Sequence, residues 1–412
     1  MYKIVSLLLL GAFCAYGQGV SADSLQARIQ KLEKEIRSIK QQQEADALEK
    51  LRREAGEAAN ISQKDESKNK VFRTGQRSLQ AINPEMSFTG DAYALSVLNG
   101  KGYNDAERSG MGYRVLGLHV QAGLDPFSLA KAVVEFNPEE GVEFAEVYVT
   151  WNNLIKGVTL TAGKFRQQFG VLNRWHDHAL DQYDYPLALT TILGEEGLNQ
   201  TGISVDWLMP GIWADAQTLT MQLTNGSNEQ LFSGEAFSFP ALLVHLKNYY
   251  DINDATYFEL GLSGMSGSND GRIGLPRRDA STVLAGVDAT LFWEPVNRSH
   301  YTSFLWRSAL FYADKRQSDL QIKAAGVYSY MEYRLNERWY AGLRWDYTQP
   351  FEMDNSDKSI TQWAPYVTWW QSHWARFRLE YIYAAAHNTE APDNTLRLQL
   401  TWAVGPHKHE RY

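Results

Sequence analysis

From residue 86 onward, apolar and polar side chains alternate with a period of two, and this pattern limits the fold more than anything else in the chain. In "LRLQLTWAV", Leu396, Leu398, Leu400, Trp402 and Val404 share one side, and Arg397, Gln399 and Thr401 share the other. "ARFRLEYIY" sets Phe377, Leu379, Tyr381 and Tyr383 against Arg376, Arg378 and Glu380. "WYAGLRWDYT" sets Trp339, Ala341, Leu343, Trp345 and Tyr347 against Arg344, Asp346 and Thr348. Successive side chains of a strand point to opposite faces, so each segment reads as a strand with one apolar and one polar face. The segments are about ten residues long, enough to cross a bilayer at a tilt. Sixteen candidates run from 86–94 to 394–404, with the eleventh and twelfth at 301–313 and 321–334.

The connections carry a second pattern. Short ones, such as "DP" at 125, "PGIW" at 210, "DIND" at 251 and "SHW" at 372, alternate with long Gly-, Asn- and Ser-rich stretches. The connection at 137–141 is short where a long one is expected. Short periplasmic turns, long external loops and an even strand number describe an outer-membrane barrel. Trp151, Trp207, Trp213, Trp293, Trp339, Trp370 and Trp374 lie at or beside the short turns. Amphipathic rings collect at a membrane interface in this way, whereas a soluble sandwich would bury its tryptophans in a core. The sequence therefore predicts an all-β transmembrane fold, a 16-stranded antiparallel outer-membrane β-barrel, over 82–412.

The first 81 residues differ. Lys3 precedes the apolar run "IVSLLLLGAFCAYG", too short to span a bilayer as a helix, and Ala15 and Gly17 suit cleavage before Gln18. Residues 1–17 are expected to be a signal peptide. Cys14, the only cysteine, goes with it, so disulfides and thiolate-bound metals are not expected in the exported chain. Leu25, Ile29, Leu32, Ile36 and Ile39 follow a heptad seam, which predicts a periplasmic α-helical coiled coil over 23–58. Isoleucines on the seam favour more than two strands, hence an expected homotrimer. Residues 59–81 are polar and read as a linker. The net charge of −8 includes no long run of one sign, which argues against a nucleic-acid partner.

The segments "INPEMSFTGD", "GKFRQQFGVLNRWHDH", "PLALTTILGEEGLNQTGISVDWLMP" and "LRLQLTWAVGPHKHERY" resemble Gram-negative outer-membrane porins, in the group that includes phosphate-selective porins. Within that group the chain looks most like barrels labelled zinc-regulated outer-membrane receptors. The resemblance covers most of the chain from about residue 82. It implies passage of solutes through a barrel held in outer-membrane lipid. Tyr412 stands where such barrels often carry an aromatic residue read by the assembly machinery, although here it follows a polar tail.

Enzyme motifs do not hold. "GVTLTAGK" has one residue too many for a phosphate-binding loop and sits on a strand. "GLSGM" lacks the last glycine of a nucleophile elbow. No catalytic residue is assigned. A charge facing lipid near mid-bilayer costs about 2–4 kcal/mol, so Lys131, Lys247, Arg307, Lys323, Arg344, Arg376, Arg378, Arg397, Glu135, Glu146, Glu259, Asp288, Asp346 and Glu380 are assigned to the lumen. Residues 166–200 form the third and longest external loop, which in the porins this sequence resembles folds inward and narrows the channel. Its Asp177, Asp181, Asp184, Glu195 and Glu196 outnumber Arg166 and Arg174. Set against Arg344, Arg376, Arg378 and Arg397, they are expected to line a constriction with a transverse field.

The reading is a porin for passive diffusion of small hydrophilic solutes, with no cofactor required. The alternative is a metal-binding receptor barrel of little conductance, in which His176 and His178 bind zinc, since neutral imidazoles are good Zn²⁺ ligands and HxH can place two on one side. His407 and His409 repeat that spacing after the last strand.

Overall fold

The computed structural model of the 412-residue chain describes residues 84–99, 108–138, 141–228, 230–232, 240–269, 280–317, 320–351, 358–387 and 389–405. The expected signal peptide, the coiled coil at 23–58, the linker, His407, His409 and Tyr412 lie outside the described residues.

Sixteen strands follow in order: β1 (Glu85–Asn99), β2 (Gly110–Asp125), β3 (Ser128–Asn137), β4 (Gly141–Ile155), β5 (Val158–Arg166), β6 (Asn199–Met209), β7 (Ala216–Thr224) and β8 (Ala241–Asn253). Then come β9 (Thr256–Ser268), β10 (Ala280–Trp293), β11 (Ser303–Gln317), β12 (Leu320–Arg334), β13 (Trp339–Gln349), β14 (Ile360–Ser372), β15 (Ala375–Ala386) and β16 (Asp393–Val404). Each pairs antiparallel with its sequence neighbours, and β1 pairs with β16 to close the barrel. Closure leaves no unpaired strand edge, the condition for crossing hydrocarbon with strands.

The period of two is realised as predicted on both faces. Arg344, Asp346 and Thr348 of β13 are fully buried inward, while Trp339 and Leu343 of the same strand are exposed on the outside. On β16, Thr395, Gln399 and Thr401 are buried and Leu398 and Val404 exposed. Trp207, Trp213, Trp339 and Trp374 are exposed near the short connections, as a girdle requires.

Two expectations need correction. The eleventh strand does not stop at 313 but runs to Gln317, and β12 begins at Leu320, so this external connection is also short. Charged residues at the outer strand ends continue the ladder, as in Asp314↔Lys323. Lys323 does not face the lumen: it is exposed between buried Ile322 and Ala324. It lies near the end of its strand, where a long stem can carry the ammonium to the headgroup level.

The third loop, between β5 and β6, contains two short 3₁₀ turns, Leu172–Arg174 and Asp177–Ala179, and one helix, α1 (Leu187–Leu193). Pro186 precedes α1, and Gly194 ends it at φ 92°, a conformation disfavoured for residues with a Cβ. Ala188, Leu189, Ile192 and Leu193 are buried in one apolar cluster with wall residues such as Phe311, Ala313, Ala324 and Tyr328. Gly326 makes the contact possible, since a Cβ there would lie 2.9 Å from the Cβ of Ala188.

Candidate functional site

The sequence-derived acids and bases meet, but by direct contact rather than across water. Asp184 accepts hydrogen bonds from Arg344 at 2.7 Å and Arg397 at 2.6 Å, and its carbonyl takes a third from Arg344 at 2.9 Å. Asp181 lies 3.4 Å from Arg307 and accepts a 2.9 Å bond from the Tyr330 hydroxyl. Arg376 donates to the carbonyls of His178 and Leu180 at 2.7 and 3.0 Å, and Arg378 reaches the Leu180 carbonyl at 3.3 Å. Arg344, Arg376 and Arg378 are all buried under the loop. The expected basic strip is thus a set of sockets for the loop backbone and its carboxylates, and a field across water does not arise at these pairs. Charge-assisted hydrogen bonds of this kind are about twice as strong as neutral ones.

Burial alone would push Asp184 towards its neutral form, but Arg344 and Arg397 outweigh that and hold its carboxyl well below the usual range. Tyr183 sits between two guanidinium groups, 4.6 Å from Arg114 and 4.8 Å from Arg397 at its ring centre. Its backbone N–H donates to Glu380 at 3.3 Å. Glu195 and Glu196 are exposed, and Asp177 lies 3.7 Å from Arg114. These three carboxylates line an outer cavity rather than the face pressed on the arginines.

His176 and His178 separate in role. Both ring nitrogens of His176 meet carboxylates, Nδ1 with Glu135 at 2.9 Å and Nε2 with Glu146 at 3.1 Å. This geometry suits a doubly protonated ring. Burial opposes that charge, but the two carboxylates outweigh it and raise the His176 pKa. His178 stacks on His176 at 5.7 Å, and His119 of β2 meets both rings edge-on at 5.4 and 5.0 Å. Of the two histidines read as a zinc pair, His176 thus has a carboxylate at each ring nitrogen and His178 lies beside it. Among the described residues no group of three or more His, Cys, Asp or Glu is arranged to hold a metal ion.

Sequence reasoning placed Glu135, Glu146 and Arg307 on the inner face but did not pair them with the loop. It missed Arg114, Asp91 and His119. Strand parity could have found His119, which shares its inward face with Gly117 and Gln121. Arg114 was hidden by a bulge, where Asp91 pairs Val115 and the next residue, Ala92, pairs Tyr113.

The loop fills one side of the lumen and leaves the other open. There a cavity of about 450 Å³ is bounded by β3 to β8 and the start of the loop. Most of its polar lining residues carry hydroxyls or carboxamides, including Thr150, Thr161, Ser204, Thr220 and Gln222. The Thr150 and Thr161 hydroxyls meet at 3.0 Å.

No family model matches the chain. An uncharacterized protein of Aquifex aeolicus (strain VF5) is 27% identical over 267 residues, which cover 58% of this chain and 55% of that protein. The chain thus matches only about half the length of this curated relative. Among solved structures, the anion-selective porin from Comamonas acidovorans is similar with a TM-score of 0.53 and 10% identity, over 78% of this chain and 100% of that one. The outer membrane protein OmpT of Vibrio cholerae, in its trimer form, gives 0.51 and 9% over 79% and 100%. Salmonella typhi OmpF, in complex with daunomycin, gives 0.51 and 9% over 78% and 97%. At these identities the likeness is one of fold, and the fold is that of a porin-like outer-membrane barrel.

Proposed function

We propose that the protein is an outer-membrane porin through which small hydrophilic solutes diffuse passively. The observation that carries this reading is the one-sided loop. A closed barrel with a polar inner wall has most of its third loop fixed against β10 to β16, with a smaller anchor on β2 to β4 through Arg114 and His176, leaving a polar cavity along β3 to β8 towards the short connections. Asymmetric filling narrows a barrel without sealing it, and loop and wall together set the size limit. The protein acts without a catalytic step. Its fold neighbours include a trimer, and three copies side by side in the membrane fit the trimer expected from the helical seam.

Pure, folded protein is expected to give discrete single-channel steps in planar bilayers, and refolded barrel that inserts without steps would sink the reading. A salt gradient across the same bilayer gives the ion preference from the sign of the reversal potential.

A further inference from the structure

Two cavities lie along one stretch of wall. The lower is the 450 Å³ cavity near the short connections. The upper, about 170 Å³, lies towards the long loops and is bounded in part by Glu135, Glu143, Asp177, Glu195 and Glu196. The strand register shows how close they are. Leu129, Lys131 and Val133 of β3 pair in turn with Thr150, Tyr148 and Glu146 of β4. Leu129, Tyr148 and Thr150 border the lower cavity, while Glu135 and Ala145 border the upper. Between them stands the rung of Val133 and Glu146, both buried, with Phe165 at the roof of the lower cavity.

His176 closes that rung from the loop side. Its ring ties Glu135, on the border of the upper cavity, to Glu146, in the dividing layer. Lys131 reaches Glu146 from below at 3.3 Å. Arg174, two residues before His176, borders the lower cavity and donates to Gln168 at 3.1 Å.

We propose that the two cavities are halves of one permeation lane along β3 to β7, that the His176 clasp is its gate, and that small uncharged polyhydroxylated solutes are its permeant class. The chemistry of the lower cavity sets that class. Its Lys247 is paired with Glu259 at 3.0 Å, and Asp206 accepts from Thr220 at 2.5 Å and Ser204 at 3.4 Å. The other polar groups that meet a solute are chiefly hydroxyl and carboxamide, which both donate and accept as a polyol's hydroxyls do. Tyr148 and Phe165 add ring surface for the C–H faces of such a molecule. Lys247 and Asp206 are engaged by protein partners and Arg174 by Gln168, so an ion entering the same space gives up water for little new pairing with them. The volume falls within the range of about 300–1,000 Å³ typical of small-molecule sites.

This inference rests on the diffusion-channel reading, and the experiment separates the two. Proteoliposome swelling in arabinose and glucose is measured alongside bilayer conductance for the wild type, His176→Ala and Glu135→Gln. Heat-modifiable migration on gels confirms that each barrel is folded. Both variants are expected to swell several-fold faster than the wild type, and wild-type swelling in the uncharged sugars is expected to exceed that in charged solutes of similar size. A second measurement exploits the cysteine content: the full sequence has one, Cys14, which precedes the first strand in the chain. Thr161→Cys therefore places a unique thiol in the lower cavity, and a hydrophilic thiol reagent is expected to cut sugar flux several-fold. Conductance that is present but indifferent to His176→Ala, Glu135→Gln and the blocked thiol overturns the lane while leaving the channel reading intact. Exclusion of the sugars by a conducting barrel overturns the permeant class. Absence of both conductance and swelling from every folded variant overturns the channel reading and the lane with it.

Discussion

The two sides of the lumen are built from the same kind of strand yet solve opposite problems. From β10 to β16 most of the inner wall is covered: apolar residues of the third loop pack on Phe311, Ala324 and Tyr328, and arginines seize its backbone and acids. Towards the short connections of β3 to β8 the wall is left open, and its threonines and amides face a cavity, while above it the loop grips β3 and β4 through His176. Covering a wall calls for shape, which explains Gly326 beneath Ala188. Leaving it wet calls only for polar side chains in the correct parity. Specific packing therefore concentrates where the loop is fixed, and tolerance to substitution where solutes would pass.

Four predictions test this contrast, beginning with the largest effect. Asp181→Ala leaves Arg307, buried under the loop, without its carboxylate, a loss that typically costs about 3–5 kcal/mol. Denaturant titration of the refolded barrel should show that loss together with earlier protease cutting in the loop; a midpoint equal to wild type would remove the distinction between the two sides. Next, Ile192→Ala in the apolar cluster should cost about 2–5 kcal/mol. Thr159→Ala on the open wall should stay within about 0.5 kcal/mol while altering solute flux.

The smallest effect is a pH contrast between two anchors of the loop. Asp184 has a folded pKa below the ordinary carboxylate value of about 3.9, so its contribution is complete above that value and is lost only as pH falls through the lower folded one. His176 is shifted the other way, so its clasp is complete below about 6.5 and is lost as pH rises through its raised folded value. Hydrogen exchange at pH 5 and pH 9 should therefore show protection near 184 at both, with protection near 176 reduced at the higher pH. Uniform protection at both pH values would show that the clasp does not hold the loop.

Much of this was legible in the sequence, for a definite reason. A bilayer outside and water inside impose the period of two on every strand, so strand number, closure and the inward face of Arg344, Arg378 and Arg397 follow from parity. The longest loop was identifiable by length, and its apolar "YPLALTTIL" does pack on the wall as α1 and its flank. Pairing was not legible. Asp184 meets residues 160 and 213 positions away, and periodicity carries no information across the lumen. For the same reason His176 was not paired with Glu135 and Glu146, which were on the correct face but at no recognisable spacing from it. Lys323 failed where parity is weakest, at a strand end no longer enclosed by hydrocarbon.

The sockets for Asp184 have a consequence for biogenesis. Its two arginines come from β13 and β16, so the complete socket exists only after the last strand has joined the wall. Until then Asp184 lacks the Arg397 half of its socket, whereas Asp181 and the apolar face of α1 need only β11 and β12. The final lock at Asp184 therefore follows barrel closure, and a hydrogen-exchange pulse during refolding would find the residues around 184 gaining protection after those of α1.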